Sequence, residues 1–204
     1  MGKKHWLSRA IIQAAAVVLI AGGLACGDKD SGIPTTPPLA PTEPHQILQH
    51  LKYLAVRKDL KHIVVIAPTS PEIVFPSAWW FHKQATDLKI ELTPEDLRAL
   101  GIEKLKDRLP ELPRSEAPEY GISEARLAFN AGMYRLVKAL PDQAWAEMSV
   151  MEIKPNPSDP RVKDVLLGLH GKPIMKVSCV KKSETSYGVS LIQYQIRPGS
   201  LKVK

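Results

Sequence analysis

"PIMKVSCVKKSETSYGVSLIQYQI", residues 173–196, carries the clearest alternation of apolar and polar side chains in the chain. Such alternation is typical of a β-strand with one buried face, because successive side chains point to opposite sides of the strand. The side chains that would face the core are Met175, Val177 and Cys179. The polar "SETS" at 183–186 has the length of a hairpin loop. The stretch therefore predicts two antiparallel strands, 173–182 and 187–196.

Two further segments lead into this hairpin. The same alternation over "AWAEMSVMEI" predicts a strand at 144–153. Between the two lies "SDPRVKDVLLGLHGKP" (158–173), where Pro160 suits a first helical turn and Gly171 suits a helix end. Its apolar side chains fall on one helical face: Val162, Val165, Leu166 and Leu169. We interpret this segment as a short helix, with a strand as the alternative.

Helical periodicity dominates the first half of the chain. "QILQHLKYLAVRK" (46–58) places its apolar residues at helical spacing and predicts a first amphipathic helix. "HIVVIAP" (62–68) is too short for periodicity to separate a strand from the end of a second helix. The proline-punctuated "PTSPEIVFPS" (68–77) indicates a loop or an edge segment.

Two more helices are predicted from their start signals. "SAWWFHKQATDLK" (77–89) would begin with Ser77 as its N-cap. "LTPEDLRALGIEKLKDRL" (92–109) begins more clearly, because Thr93 caps it and Asp96 completes a capping box around a proline at the first helical position.

The strongest helical pattern is "SEARLAFNAGMYRLVKAL" (123–140), with Ser123 as its cap, and it predicts a main core helix. Helices followed by an antiparallel sheet are the pattern of an α+β fold. We therefore predict one domain at 47–204, in which N-terminal helices pack on a C-terminal curved antiparallel β-meander. Its length is enough for a single sizeable core.

The first 25 residues have the pattern of an export signal. Basic residues without an acid precede an apolar stretch at 10–21 that only Gln13 interrupts. Counted from Ala10 to Cys26, this stretch is shorter than the roughly 20 residues that a membrane-spanning helix needs. Small residues then loosen the backbone, which predicts cleavage after Ala25.

The residues "GLAC" at 23–26 resemble the lipobox of bacterial lipoproteins. The resemblance implies that the Cys26 thiol receives a diacylglycerol, becomes the mature N-terminus, carries palmitate-type chains and anchors the protein in the bacterial cell envelope. Two alternatives are ordinary signal cleavage and an uncleaved N-terminal anchor. An aspartate directly after the cysteine favours the inner membrane; here Gly27 intervenes before Asp28, which favours the outer membrane.

Composition separates a tether from the domain. Residues 26–46 contain a run of prolines without apolar periodicity and indicate an extended, semi-rigid tether. The formal net charge is +7, and its basic excess lies in 161–204. We interpret that excess as a solvated sheet face with a basic tail, the alternative being contact with anionic head groups or an acidic partner. It lacks interleaved aromatics, which argues against nucleic acid as a partner.

The order of helices and sheet, together with "RKDL" (57–60) after the first helix, resembles the NTF2-like or cystatin-like α+β cone over residues 44–197. The resemblance implies a sheet that wraps the long helix and leaves a pocket at its open end. Related proteins use this pocket for a ligand or, in a few enzymes, for acid/base catalysis.

Spacings that would indicate catalysis or metal binding are missing from the sequence. There is no HExxH or paired CxxC motif, so we predict no metal site, no cofactor and no catalytic residue. We interpret the scattered histidines as surface or satisfied core residues, and Cys179 as an inert core thiol. The remaining acids are assigned to helix ends and caps: Asp87, Glu91, Glu95 and Asp96.

A cluster of aromatic residues is the one candidate binding surface. Its residues are Trp79, Trp80, Phe81 and His82. Adjacent residues on a helix cannot all face the core, so at least one ring should lie near the surface. This predicts a domain that binds an envelope partner protein or a small apolar ligand. The alternatives are a small NTF2-like pocket enzyme and a purely structural envelope component.

Overall fold

A computed structural model of the chain describes residues 32–103 and 121–201. The helices are α1 (Ile47–Arg57), α2 (Ile63–Ile66), α3 (Pro71–Asp87), α4 (Pro94–Ala99), α5 (Ile122–Val137) and α6 (Asp142–Glu147). The strands are β1 (Ser149–Pro155), β2 (Val162–Leu169), β3 (Lys172–Ser183) and β4 (Ser186–Tyr194). The predicted α+β class is confirmed, since helices are followed by a sheet that they cover.

The strands form one antiparallel meander in the order β1-β2-β3-β4. The two predicted hairpin strands are confirmed, with a turn at Glu184 and Thr185 between them. The predicted inward-facing residues of β3 are fully buried: Met175, Val177 and Cys179. They join side chains from α1, α3 and α5 in one hydrophobic core.

The helix predicted between the first two strands is wrong, and the strand alternative is right. Residues Val162–Leu169 form β2, which pairs with β1 on one side and with β3 on the other. Val165 and Leu167 point into the core, whereas the helical pattern grouped Val165 with Leu166. Gly171 forms a tight turn with His170, both at positive φ (76° and 49°), and therefore ends no helix.

The strand predicted at 144–153 begins later than expected. Its first residues belong to α6, and β1 starts at Ser149. Trp145 lies in α6 with its side chain fully buried, and its Nε1 donates to the Val137 carbonyl oxygen at 3.0 Å. The buried, hydrogen-bonded Trp145 ring stabilises the helical conformation of this segment. Alternation of apolar and polar residues in the sequence does not indicate such a contact.

The starts of α3 and α5 also differ from the prediction. Helix α3 begins at Pro71, so the loop or edge segment predicted at 68–77 is wrong. Ser77 is not the N-cap but a buried residue inside the helix. Pro71 occupies the first helical position, where proline costs no hydrogen bond, and core packing tolerates Pro76 one turn later. The N-cap of helix α5 is Gly121, two residues before the predicted Ser123.

Other sequence signals are confirmed. The Thr93 hydroxyl accepts from the Asp96 amide at 3.2 Å, and the Asp96 carboxylate accepts from the Thr93 amide at 2.9 Å, which is the predicted capping box of α4. Helix α1 matches the first predicted helix. The ambiguous stretch at 62–68 is helical, as α2.

The described part of the proline-rich segment, residues 32–46, lies along the domain. The Pro41 carbonyl oxygen accepts from the Tyr187 amide at 2.8 Å, and the Pro34 carbonyl oxygen accepts from Arg57 Nε at 3.4 Å. A short 3-10 turn at Pro44–Gln46 then leads into α1. Cys26 and the predicted signal at 1–25 lie outside the described residues.

Helices α3 and α5 approach each other most closely at Gly132. A Cβ at this position would lie 2.6 Å from Phe81 Cβ and 3.2 Å from the His82 backbone nitrogen. Ala125 and Ala128, which are also buried, continue the same face of α5. Small residues on this face therefore let the two helices pack with almost no side chain between their backbones.

Helix α3 also covers the free edge of β4. Gln84 Nε2 donates to the Ile192 carbonyl oxygen at 2.7 Å, and Gln84 Oε1 accepts from the Tyr194 amide at 3.2 Å. Because β4 is the last strand of the sheet, these two backbone groups belong to its outer edge. One side-chain amide thus supplies the donor and the acceptor that another strand would offer.

We predict that Gly132→Ala lowers the free energy of unfolding by about 1 to 3 kcal/mol, because the added methyl group overlaps the backbone of α3. Urea unfolding followed by circular dichroism measures the change. Gly199→Ala is the matched control, since a Cβ there meets nothing within 4 Å and should leave stability unchanged. Equal stability of the two variants would contradict this packing.

Candidate functional site

The aromatic cluster of α3 places one ring at the surface, as predicted. Trp80 is 48% exposed, and Trp79 is half-buried beside it. Their ring centroids are 5.0 Å apart with planes at 74°, so Trp79 packs edge-on against Trp80. This contact supports the outer ring from one side, while about half of the Trp80 surface stays in solvent.

Phe81 does not belong to this surface. It is fully buried, and its ring centroid lies 5.1 Å from that of Phe129 in the core. The expectation that it shares a surface with Trp80 is therefore wrong, because one residue along a helix turns a side chain by about 100°. We call Trp79 and Trp80 together the tryptophan surface.

His82 faces away from the tryptophan surface, toward α5. Its Nδ1 is 3.5 Å from Arg135 Nη1, and Arg135 Nε donates to the Ile90 carbonyl oxygen at 2.6 Å. Burial lowers the pKa of His82, and the positive charge of Arg135 lowers it further. His82 is therefore a neutral acceptor that helps to position Arg135.

Three of the four acids assigned to helix ends and caps lie there, whereas Glu91 lies in the connection between α3 and α4. Asp87 pairs with Lys83 at 2.8 Å near the end of α3, and Glu95 pairs with Arg98 at 3.1 Å in α4. Asp96 additionally accepts from Lys138 Nζ at 2.5 Å, which ties α4 to the end of α5. These contacts pair each of the three carboxylates with a basic side chain and hold the helix ends in place.

An open groove of about 750 Å³ lies where α3 ends. Its lining includes Asp87, Lys89 and Arg197, together with the backbone turn at Pro198–Ser200. Charges of both signs face solvent here, and the groove has no walled apolar interior. It therefore does not resemble the enclosed pocket expected for a small apolar ligand.

Sequence reasoning missed a buried pair of histidines. His50 in α1 and His62 in the turn before α2 are 1% and 4% exposed, and His50 Nδ1 lies 2.8 Å from His62 Nε2. Their rings stack with centroids 5.0 Å apart, and the Tyr53 ring packs edge-on against His62. The Tyr53 hydroxyl in turn donates to Asp59 at 3.3 Å. The pair thus joins α1 to the start of α2.

The sequence pattern indicates burial for only one of these two histidines. His50 lies between Ile47 and Leu54 at helical spacing, on the apolar side of α1. His62 follows twelve residues later in a separate element, and no local pattern links the two. The hydrogen bond depends on how α2 folds back on α1.

Both histidines are held neutral. Burial is the main cause that lowers the pKa of His50 to about 4; His62 and Lys182 lower it further, whereas the Leu39 backbone acts in the opposite direction. Burial likewise lowers the pKa of His62, against the attraction of Asp59. Because the pair is enclosed, it offers no reacting group to a substrate and serves packing.

Other candidate chemistry is also buried or missing in the described residues. Burial raises the pKa of the Cys179 thiol, so it is an inert core group as predicted. In 32–103 and 121–201, no cluster of three or more histidine, cysteine or acidic side chains could hold a metal ion. Nor does any helix of these two ranges combine the length and apolarity that crossing a bilayer requires.

No protein-family model, curated protein sequence or solved structure matches this chain.

We predict that the histidine pair makes stability fall as the pH drops from about 6.5 toward 4. The unfolded chain takes up a proton near the ordinary histidine pKa of 6.5, whereas the folded His50 resists it down to about 4. The loss in free energy of unfolding between pH 7 and pH 4 should be on the order of 2 kcal/mol for this residue.

Urea unfolding at several pH values tests this prediction. His50→Asn should flatten the pH dependence relative to the wild type. His170→Asn is the comparison variant, because the His170 side chain is 77% exposed and contacts Glu147 instead of the buried pair. An identical slope in all three proteins would exclude the pair as the cause.

Proposed function

We propose that this chain is a bacterial envelope lipoprotein. Acyl chains on Cys26 anchor it, with the outer membrane favoured over the inner, and its α+β domain binds an envelope partner protein through the tryptophan surface. The half-exposed ring of Trp80, braced by Trp79, is the observation that carries the binding role.

Support for the anchor comes from the start of the sequence. A basic start, an apolar stretch too short to span a bilayer, and small residues before Cys26 together suit a lipoprotein signal. Each buried methylene of an acyl chain contributes about 0.8 kcal/mol, so two or three chains hold a domain at a membrane without a spanning helix.

Support for a protein partner comes from the form of the aromatic surface. Tryptophan is enriched at the energetic centres of protein interfaces, where a rigid ring buries a large area at small entropic cost. The Trp80 ring packs against Trp79 and leaves 48% of the residue's surface in solvent. This favours a partner protein over the small apolar ligand that the sequence left open.

We predict that Cys26→Ser releases the protein from the membrane fraction and abolishes palmitate labelling, because the acylated thiol is lost. Cell fractionation and labelling with a palmitate analogue measure both effects. Cys179→Ala is the matched control, since the buried Cys179 should leave labelling intact. Label that persists in Cys26→Ser would refute the anchor.

We also predict that Trp80→Ala weakens partner capture at least tenfold while costing about 1 kcal/mol of stability or less, as expected of a half-exposed residue. A photoreactive phenylalanine analogue at position 80 should form a discrete cross-linked product in intact cells.

Val64 supplies the control for this experiment. It is 68% exposed and apolar but lies on α2, so Val64→Ala and a photoreactive residue at position 64 should have no such effect. Cross-linking of equal strength at both positions would mean that the tryptophan surface binds no particular partner.

A further inference from the structure

Within the described residues, strand β1 is the edge strand of the sheet opposite β4. It pairs with β2 on one side, and six of its seven residues are exposed. Met151 and Ile153 are 40% and 41% exposed, which makes them two of the large hydrophobic residues that the described chain leaves in solvent. The opposite edge, by contrast, is covered by Gln84.

The hydrogen bonds to β2 determine which backbone groups of β1 face outward. The Asn156 amide donates to the Val162 carbonyl oxygen at 3.0 Å, so the backbone N–H of Asn156 points toward β2. Antiparallel pairs alternate along a ladder, so Lys154 is bonded to β2, whereas the N–H and C=O of Ile153 point away from it. Ile153 therefore presents a donor and an acceptor at the free edge.

The side chains next to Ile153 carry opposite charges. Glu152 and Lys154 both lie on the face of β1 that points away from Ile153, and their charged groups are 2.8 Å apart. Their side chains are 46% and 66% exposed, so this pair within one strand is weak. Glu152 and Lys154 are therefore the residues directly before and after Ile153, whose backbone N–H and C=O point to the free edge.

We propose that two copies of this chain pair antiparallel through β1, with a twofold axis at Ile153. In this register Ile153 exchanges two backbone hydrogen bonds with Ile153 of the second copy. Each Glu152 then lies directly opposite the other copy's Lys154, where cross-strand pairs of opposite charge are favourable. Such an interface is isologous, as in most homodimers.

Charge selects this register over its neighbours. Moving the axis by one residue, to Glu152 or to Lys154, would place two like charges directly opposite each other, which is destabilising. The pairing also stays short, because Pro155 has no N–H to donate and a bulge at Met151 interrupts the ladder. The partner is therefore a second copy in one defined alignment.

Charge reversal tests the proposal on the full chain purified in detergent. Sedimentation velocity should give a dimer for the wild type. Glu152→Lys and Lys154→Glu should each weaken the dimer at least tenfold, and the double reversal Glu152→Lys/Lys154→Glu should restore it. Both positions are exposed, so the far-ultraviolet circular dichroism spectra should be unchanged, and the loss then cannot be attributed to unfolding.

A second measurement locates the axis. The Ile153 amide should exchange with deuterium more slowly as protein concentration rises, and Ile153→Cys should form an intermolecular disulfide under mild oxidation. Val64→Cys is the exposed control and should form much less. A monomeric wild-type protein would overturn the proposal. So would a dimer that neither single reversal weakens and whose formation leaves deuterium exchange at the Ile153 amide unchanged.

Discussion

The close approach of α3 and α5 at Gly132 fixes the orientation on which the rest of the surface depends. Because Phe81 packs against this glycine and against Phe129, α3 cannot rotate about its axis without opening the core. The rotation of α3 in turn places Trp80 outward and directs Gln84, one turn later, to the edge of β4. A packing contact in the interior thus determines both a candidate binding surface and the closure of one sheet edge.

Sequence reasoning succeeded where a signal is local. The capping box at Thr93 involves residues three positions apart, and the β3–β4 hairpin needs only alternation and a short polar loop. Both features are settled by near neighbours in the chain, so a single sequence contains all the information that they require.

It failed where distant contacts decide between two patterns. Val162, Val165 and Leu169 share one face of a helix, whereas Val165, Leu167 and Leu169 share one face of a strand, and pairing with two other strands selects the strand. The two prolines of α3 resemble loop punctuation, yet burial of Val74 and Ala78 keeps the segment helical. The histidine pair likewise depends on contact between elements that the sequence cannot join. At the candidate site, the exposed ring was predictable from helix geometry, whereas its identity as Trp80 was not.

The amide of Gln84 has a consequence for assembly beyond the single molecule. A sheet whose two edge strands are both unpaired can add a strand at either edge. Head-to-tail addition of identical molecules can then continue without limit and form fibres. Here a strand added at the β4 edge would have to displace the Gln84 side chain, which already donates to the Ile192 carbonyl oxygen and accepts from the Tyr194 amide. Growth by strand addition is thereby terminated on that side, and the protein is protected from polymerising through its own sheet.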